Sequence, residues 1–98
     1  MIRVELYGKR DCGLCEEVKA TLAKVQREIP FALFEIDIES APELHTTYKE
    51  RIPLVFVNGR LAFKFRVDEV GLRRRLARER LAEPLKRLAV TGAPPEKK

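Results

Sequence analysis

The sequence predicts an α/β domain, because a strand, a helix and a second strand follow one another near the start of the chain. Residues 2–7 alternate apolar and polar side chains, which is the period of a strand with one buried face. Between residues 14 and 29, apolar residues recur at steps of three and four, which indicates an amphipathic helix. The mostly apolar residues 31–38 then predict a second, well-buried strand. This spacing predicts a right-handed βαβ unit with two parallel strands.

A second helix and a third strand are predicted next. Ser40 is placed to cap the amide three residues on, and Pro42 suits a first turn, so we expect a helix to about residue 51. His45 lies on this helix, where a lone histidine is far more often a surface residue than a ligand or base. The apolar residues 54–57 predict a strand. Pro53 at its entrance is either an ordinary strand-start proline or part of a cis bond beside the cysteines.

A hairpin and a long helix complete the predicted domain. Asn58 and Gly59 both tolerate positive φ, as a two-residue turn demands. The returning strand, residues 61–65, is expected to place three apolar side chains on one face: Leu61, Phe63 and Phe65. Asp68 is positioned to cap the final helix, and Pro84 should end or kink it.

Composition indicates one soluble globular domain over residues 1–90, with residues 91–98 as a flexible tail. The 98 residues are 45% hydrophobic and 36% charged. No signal peptide and no apolar run of membrane-spanning length is visible, so we expect a cytoplasmic protein that does not enter the membrane. The net charge of +5 favours acidic partners only mildly. Acidic residues interrupt the basic last helix and no aromatic residues interleave, which favours a solvated face over a nucleic-acid surface.

Both cysteines lie in one motif, Cys-Gly-Leu-Cys at residues 12–15, where the first strand turns into the first helix. Gly8 is expected to loosen that turn. The start of a helix carries unpaired N–H groups and the positive end of the dipole, so a thiolate on Cys12 would be stabilised. Cys15 lies one turn further on and would be shielded by the helix. Lys9 favours a thiolate as well, although nearby acidic residues oppose it.

The cysteine pair has three interpretations. In the cytoplasm a lasting structural disulfide is uncommon, and a cysteine pair is more often catalytic or metal-binding. Half of a structural zinc site would need two further ligands, and the chain offers only His45, so a second chain would have to contribute. The cysteines could also be an inert pair of small core residues. The strand–turn–helix context favours redox chemistry over both.

The order of elements resembles the glutaredoxin branch of the thioredoxin superfamily, over residue 2 to about residue 81. Three places carry the resemblance: Lys9 with the Cys-Gly-Leu-Cys motif, Ile52-Pro53 before the third strand, and the sequence Val-Asn-Gly at residues 57–59. The resemblance implies the thioredoxin fold, a four-stranded mixed sheet in the order 2-1-3-4 flanked by three helices.

The resemblance also implies a thiol–disulfide oxidoreductase. Cys12 would attack a substrate disulfide and Cys15 would resolve the mixed disulfide. The partners expected for a monomer of this kind are a disulfide-containing protein or a small thiol substrate, with a reductase or glutathione as electron donor. This chemistry requires no bound cofactor and no metal. The alternative function is a module in which Cys12 residues of two chains hold a metal ion or an iron–sulfur cluster.

A substrate-binding set follows from the same resemblance. Pro53 would be cis and lie against the cysteines, and the backbone of Ile52 would pair with a bound thiol peptide. Lys9 would bind a substrate carboxylate or tune the thiolate. The residues between the cysteines, Gly13 and Leu14, complete the set.

The sequence departs from the glutaredoxin pattern in the region that helps hold glutathione. Glutaredoxins usually carry a Gly-Gly pair on the fourth strand, shortly before an acidic residue at the start of the last helix. Asp68 fits the acidic position here, but Phe63 and Lys64 occupy the place of the glycines. Their bulk is expected to obstruct the close approach of a peptide backbone, so glutathione would be at most a poor co-substrate.

Overall fold

The structure, a computed structural model, describes the backbone of residues 1–90 and the side chains of residues 1–82. The predicted tail, residues 91–98, lies outside the described residues. A single 3-10 turn, Ile38–Ser40, joins the second strand to the second helix. The strands and helices follow in the order β1 (Arg3–Gly8), α1 (Gly13–Gln26), β2 (Ala32–Asp37), α2 (Pro42–Tyr48), β3 (Leu54–Val57), β4 (Arg60–Lys64) and α3 (Glu69–Val90).

The four strands form one mixed sheet in the order β2-β1-β3-β4, which confirms the predicted topology. β1 pairs with β2 in parallel, whereas β3 is antiparallel to both β1 and β4. A parallel neighbour requires a crossover, and α1 provides it. The loop between β1 and α1, which contains the first cysteine, therefore leaves the sheet at the end where β1 and β2 both finish.

Helices cover both faces of the sheet. On one face, α1 and α3 pack against the central strands β1 and β3 to form the main core, built from Val4, Leu6, Val18, Leu22, Val55, Val57, Leu72 and Leu76. On the other face, the ring of Tyr7 lies 5.0 Å from that of Tyr48 on α2 and 5.3 Å from that of Phe56 on β3. Successive residues of β1 thus face opposite sides of the sheet, as the two-residue period of a strand requires.

The prediction that the second strand is well buried is wrong. β2 lies at the edge of the sheet, and the side chain of Phe34 is 42% exposed. The guanidinium of Arg3 on the neighbouring strand lies 3.9 Å from the centre of the Phe34 ring, a cation–π contact at the surface. The apolar run therefore belongs to an edge strand, and the guanidinium of Arg3 covers part of its exposed Phe34 ring.

The start of α2 also differs from the prediction. Ala41 is the N-cap residue and makes no side-chain hydrogen bond, and the hydroxyl of Ser40 instead donates to the carbonyl of Asp37 at 2.7 Å. The side chain of Asp37 accepts from the backbone N–H of Glu39 at 2.8 Å, which caps the 3-10 turn. This extra turn takes up Ser40, and the helix ends at Tyr48, earlier than predicted.

The hairpin turn is confirmed, but the strand after it is irregular. Asn58 and Gly59 have φ values of 50° and 84°, as a two-residue turn requires. Further along, Phe56 pairs with Leu61 and Val55 pairs with Phe63, so a bulge inserts one extra residue into β4. The prediction that Leu61, Phe63 and Phe65 share one face is therefore wrong, because the extra residue reverses the alternation of side chains between Leu61 and Phe63.

The last helix begins as predicted. The backbone N–H of Gly71 donates to Oδ2 of Asp68 at 2.9 Å, which confirms the cap. The helix does not end at Pro84, however, and its backbone continues to Val90. A proline removes the hydrogen bond to the carbonyl four residues earlier, but hydrogen bonds further along the helix still form.

Candidate active site

The cysteine pair lies at the first turn of α1. Cys12 is the N-cap residue, with an extended backbone at φ −123° and ψ 108°. Its sulfur accepts a hydrogen bond from the backbone N–H of Cys15 at 3.2 Å, in the place that a serine or aspartate oxygen takes in an ordinary cap. The Cα atoms lie 5.2 Å apart, and the two sulfurs are joined as a disulfide. The motif therefore caps a helix and closes a redox-capable ring with the same atoms.

The two cysteines differ in exposure. Cys15 is only 3% exposed and lies in the first turn of the helix, whereas Cys12 is half-buried. The backbone reaches Cys12 through a left-handed residue, Asp11, whose φ is 55°. Aspartate tolerates that conformation better than most residues. The sharp turn thus leaves Cys12 as the more exposed member of the pair.

Gly8 has a different role from the one expected. It lies at the end of β1, and a Cβ atom added there would be 3.1 Å from Sγ of Cys15. The left-handed step in the following loop falls at Asp11 rather than at Gly8. The glycine therefore makes room for the buried sulfur and does not loosen the turn.

Replacing Gly8 by alanine should destabilise the oxidised protein, because its methyl group would lie 3.1 Å from the Cys15 sulfur, closer than ordinary van der Waals contact, and the disulfide restrains that sulfur from moving away. Overpacking of this kind costs about 1–3 kcal/mol. Gly13→Ala is the matched control, since nothing lies within 4 Å of its added Cβ and alanine favours a helix. Urea unfolding of both variants should show a loss for Gly8→Ala and no loss for Gly13→Ala. Equal midpoints for the two variants would show that the Gly8 contact is not restrictive.

A groove of about 270 Å³ lies beside the buried cysteine, between α1 and the ends of β1 and β2. We call it the Cys15 groove. Lys9, Lys19 and Glu35 line it together with Cys15. The ammonium of Lys19 lies 3.4 Å from the carboxylate of Glu35 and 3.5 Å from that of Glu16. The hydrogen bond to Glu35 and the charges of both carboxylates raise the pKa of Lys19. The charge of Lys19 in the groove is therefore paired with those of Glu16 and Glu35.

Comparison with known proteins decides the family. Residues 3–77 match the family described as glutaredoxin-like domain (DUF836). The chain belongs to this family. An uncharacterized protein of Mycobacterium tuberculosis is 32% identical over 87 residues, which cover 84% of this chain and 90% of that relative. The predicted glutaredoxin-like resemblance is confirmed.

Solved structures similar to this glutaredoxin-like domain include two from bacteria. Protein Ne2328 from Nitrosomonas europaea gives a TM-score of 0.63 at 27% identity and covers 74% of this chain and 88% of its own. Protein XcR50 from Xanthomonas campestris gives 0.64 at 28% identity, covering 76% of this chain and 95% of its own. A thioredoxin from Halobacterium salinarum, at 18% identity, gives 0.58 and covers 76% and 71%. These matches show the thioredoxin fold, which together with the Cys12–Cys15 pair supports a redox-type function.

Three of the residues predicted to bind substrate surround the cysteines of this glutaredoxin-like domain. Lys9 is half-buried and lines the Cys15 groove. Gly13 is exposed and Leu14 is half-buried in the first turn of α1. Their roles in binding stay predictions.

The other two predicted residues lie at the same end of the sheet. The Ile52–Pro53 peptide bond is cis, Pro53 is buried and Ile52 is half-buried. The next residue, Leu54, pairs with Tyr7 near the end of β1 that leads to the cysteines. The backbone carbonyl of Pro53 accepts a hydrogen bond from the N–H of Phe65 at 2.7 Å.

Sequence reasoning missed the surroundings of Phe65. Phe63 packs against the core, so its bulk does not face the surface, whereas Lys64 and Phe65 are exposed. Phe65 follows β4 with a φ of 66°, in the left-handed region. No local sequence signal announces this conformation, because phenylalanine rarely adopts it.

The described part of the chain shows neither a metal-binding cluster nor a membrane-spanning helix. Among the described residues, no group of three or more His, Cys, Asp or Glu side chains is arranged to hold a metal ion. Within residues 1–90, no helix combines the length and the apolar character needed to cross a membrane.

Proposed function

We propose that this glutaredoxin-like protein is a dithiol thiol–disulfide oxidoreductase. The observation that supports it best is the exposure difference between Cys12, at the N-cap of α1, and Cys15, one turn further on. In the first step the Cys12 thiolate attacks one sulfur of a substrate disulfide. The substrate S–S bond breaks, a mixed disulfide forms with Cys12, and the other substrate sulfur leaves as a thiolate that takes up a proton.

Cys15 completes the reaction. Its thiolate attacks Sγ of Cys12, the mixed disulfide breaks, and the substrate leaves with its second sulfur as a thiol. Two electrons have then passed to the substrate, and the protein holds the Cys12–Cys15 disulfide. The 5.2 Å separation of the Cα atoms suits this intramolecular step.

The helix start supports the first step by stabilising negative charge on Cys12. The N–H of Cys15 points at the Cys12 sulfur, and the positive end of the α1 dipole lies beside it. Such positions lower the pKa of cysteine thiols and so raise the fraction of reactive thiolate at neutral pH. The sulfur of Cys15, by contrast, is buried and is therefore not accessible to a large substrate.

The remaining assignments follow from the family and are part of the proposal. The substrate is a disulfide-containing protein or a small thiol compound in the cytoplasm, and a reductase or glutathione returns the electrons. Lys9 on the Cys15 groove binds a substrate carboxylate or tunes the thiolate. The backbone of Ile52, next to Pro53, pairs with the substrate peptide, as a segment that leads into a strand can do.

A turnover assay tests the function. With dithiothreitol as the terminal reductant, the protein should accelerate the reduction of insulin, which is followed by precipitation of the freed B chain. Protein whose two thiols have been reduced and alkylated is the control and should give only the background rate. An unmodified protein that leaves the rate at background with insulin and with small disulfides would contradict the proposal.

A further inference from the structure

We propose that Phe65 determines substrate specificity by packing against an apolar side chain beside the disulfide of a protein substrate. The inference rests on the proposed oxidoreductase function and adds a substrate class to it, protein disulfides in preference to small ones.

Phe65 combines two unfavourable properties. Its φ of 66° is a left-handed conformation that a bulky side chain rarely adopts, because Cβ crowds the backbone. Its side chain is nevertheless 43% exposed, so burial offsets little of that cost. Strained residues of this kind are concentrated at functional sites.

The position of Phe65 is fixed at the cysteine end of the sheet. Its N–H donates to the carbonyl of Pro53 at 2.7 Å. The residue before it, Lys64, ends β4 opposite Leu54, which in turn pairs with Tyr7. The loop after Tyr7 leads directly into the cysteine motif. The exposed ring therefore lies at the sheet end from which a substrate would reach the cysteines.

A second groove lies between this ring and α1. The Phe65 groove, of about 280 Å³, is bounded by Glu17, Val18 and Thr21 of α1 and by residues 65–68. At its rim, a guanidinium nitrogen of Arg66 lies 3.8 Å from a carboxylate oxygen of Glu17, and both side chains are well exposed. An apolar floor with a charged rim is typical of a contact for another protein.

The size of the groove favours a protein segment over a whole small molecule. Pockets that enclose a small ligand have volumes of about 300–1,000 Å³, which places this groove just below that range. It has room for an apolar side chain whose own chain continues across the neighbouring surface. Aromatic residues in such contacts often carry a large part of the binding energy.

The test compares two disulfides with reduced protein. Insulin is the protein probe and bis(2-hydroxyethyl) disulfide is the small probe, and each reaction is quenched by acid and alkylation for mass analysis. Phe65→Ala and Phe65→Gly should lower the second-order rate constant with insulin about tenfold. The rate constant with the small disulfide should change less than about twofold, because that molecule has no apolar side chain to pack against the Phe65 ring.

Two controls separate contact from fold. Glycine adopts a positive φ without a Cβ clash, so Phe65→Gly should be at least as stable as Phe65→Ala in urea unfolding. If its urea midpoint also lies close to that of the unmodified protein, its loss of reactivity with insulin cannot come from unfolding. Leu61→Ala removes an equally exposed apolar residue, also 43% exposed, from the hairpin end of β4, the strand that Phe65 follows. This variant should react with both disulfides like the unmodified protein.

Three results would overturn the inference. Equal losses with both disulfides would mean that Phe65 acts through the cysteines or the fold. An unchanged rate with insulin would mean that the ring contacts no protein substrate. An unmodified protein that reacts with neither disulfide would overturn the oxidoreductase function as well, and that failure would be visible before any residue was replaced.

Discussion

Cys12→Ser is expected to lower the rate of insulin reduction at least about a thousandfold, to the background rate. A serine hydroxyl is almost fully protonated at neutral pH and does not attack a disulfide, so neither half of the exchange can begin. The substitution should preserve the fold, because a serine oxygen is a good N-cap acceptor for the N–H of Cys15. The rate is measured with dithiothreitol as reductant.

Cys15→Ser is the matched variant and should fail differently. Cys12 still attacks, but no thiolate follows to release the substrate, so a covalent mixed disulfide accumulates. Mass spectrometry of the quenched reaction should show protein carrying the mass of one insulin molecule, because a single attack leaves the other interchain disulfide intact, and a reducing agent should remove the added mass. Full disulfide-reducing activity in Cys12→Ser, or a trapped adduct on Cys15 when Cys12 is absent, would refute the assigned order of attack.

The second large effect concerns a buried carboxylate that ties the last helix to the hairpin turn. Glu79 on α3 is only 8% exposed. One of its oxygens accepts from the side-chain amide of Asn58 at 2.8 Å, and the other accepts from Nε of Arg75 at 3.0 Å. Asn58 also exchanges hydrogen bonds with the backbone of Arg3, at 2.9 Å and 2.7 Å. The side chain of Asn58 thus links the hairpin turn to the start of β1 and, through Glu79, to the last helix.

Glu79→Ala is expected to destabilise the protein by about 3 kcal/mol. It removes charge-assisted hydrogen bonds and leaves the half-buried donors of Asn58 and Arg75 without this acceptor. Glu69→Ala is the control, since Glu69 also forms ion pairs from α3 but its side chain is 36% exposed, against 10% for Glu79, so its loss should cost far less. Urea unfolding of the oxidised proteins gives both values. Similar losses for the two variants would show that burial does not strengthen the Glu79 contacts.

Much of the fold could be predicted because local signals agreed with the tertiary structure. The alternation of residues 2–7, the Asn58-Gly59 turn and the Asp68 cap each have a short-range physical cause, and all three are present. The position of the cysteine pair at a helix start followed in the same way. The structure then joins the two cysteines of this short motif as a disulfide.

The errors fall where the structure depends on distant neighbours. An apolar run does not reveal that β2 lies at the edge of the sheet, since Arg3 on another strand shields Phe34. The bulge in β4 depends on how that strand meets β3, and it changes which apolar side chains face the core. The role of Gly8 depends on the approach of Cys15, a contact that spacing alone does not show.

The conformation of Phe65 has the same origin. It results from the end of a bulged strand and a hydrogen bond to Pro53, twelve residues earlier in the chain. The position of the cysteine motif in the fold could therefore be predicted from the sequence, whereas the exposed Phe65 ring at the same end of the sheet could not. That ring is where substrate choice is proposed to be made.

The most direct test of the proposed mechanism is a redox titration of the cysteine pair. The protein is equilibrated in dithiol–disulfide buffers of graded potential, free thiols are alkylated, and the products are weighed. The mechanism predicts one reversible step in which both thiols are lost together, which defines the reduction potential of a Cys12–Cys15 couple. If both thiols remained open to alkylation in the most oxidising buffer, the pair would not be a redox couple, and a metal-binding or inert role would replace the proposed catalysis.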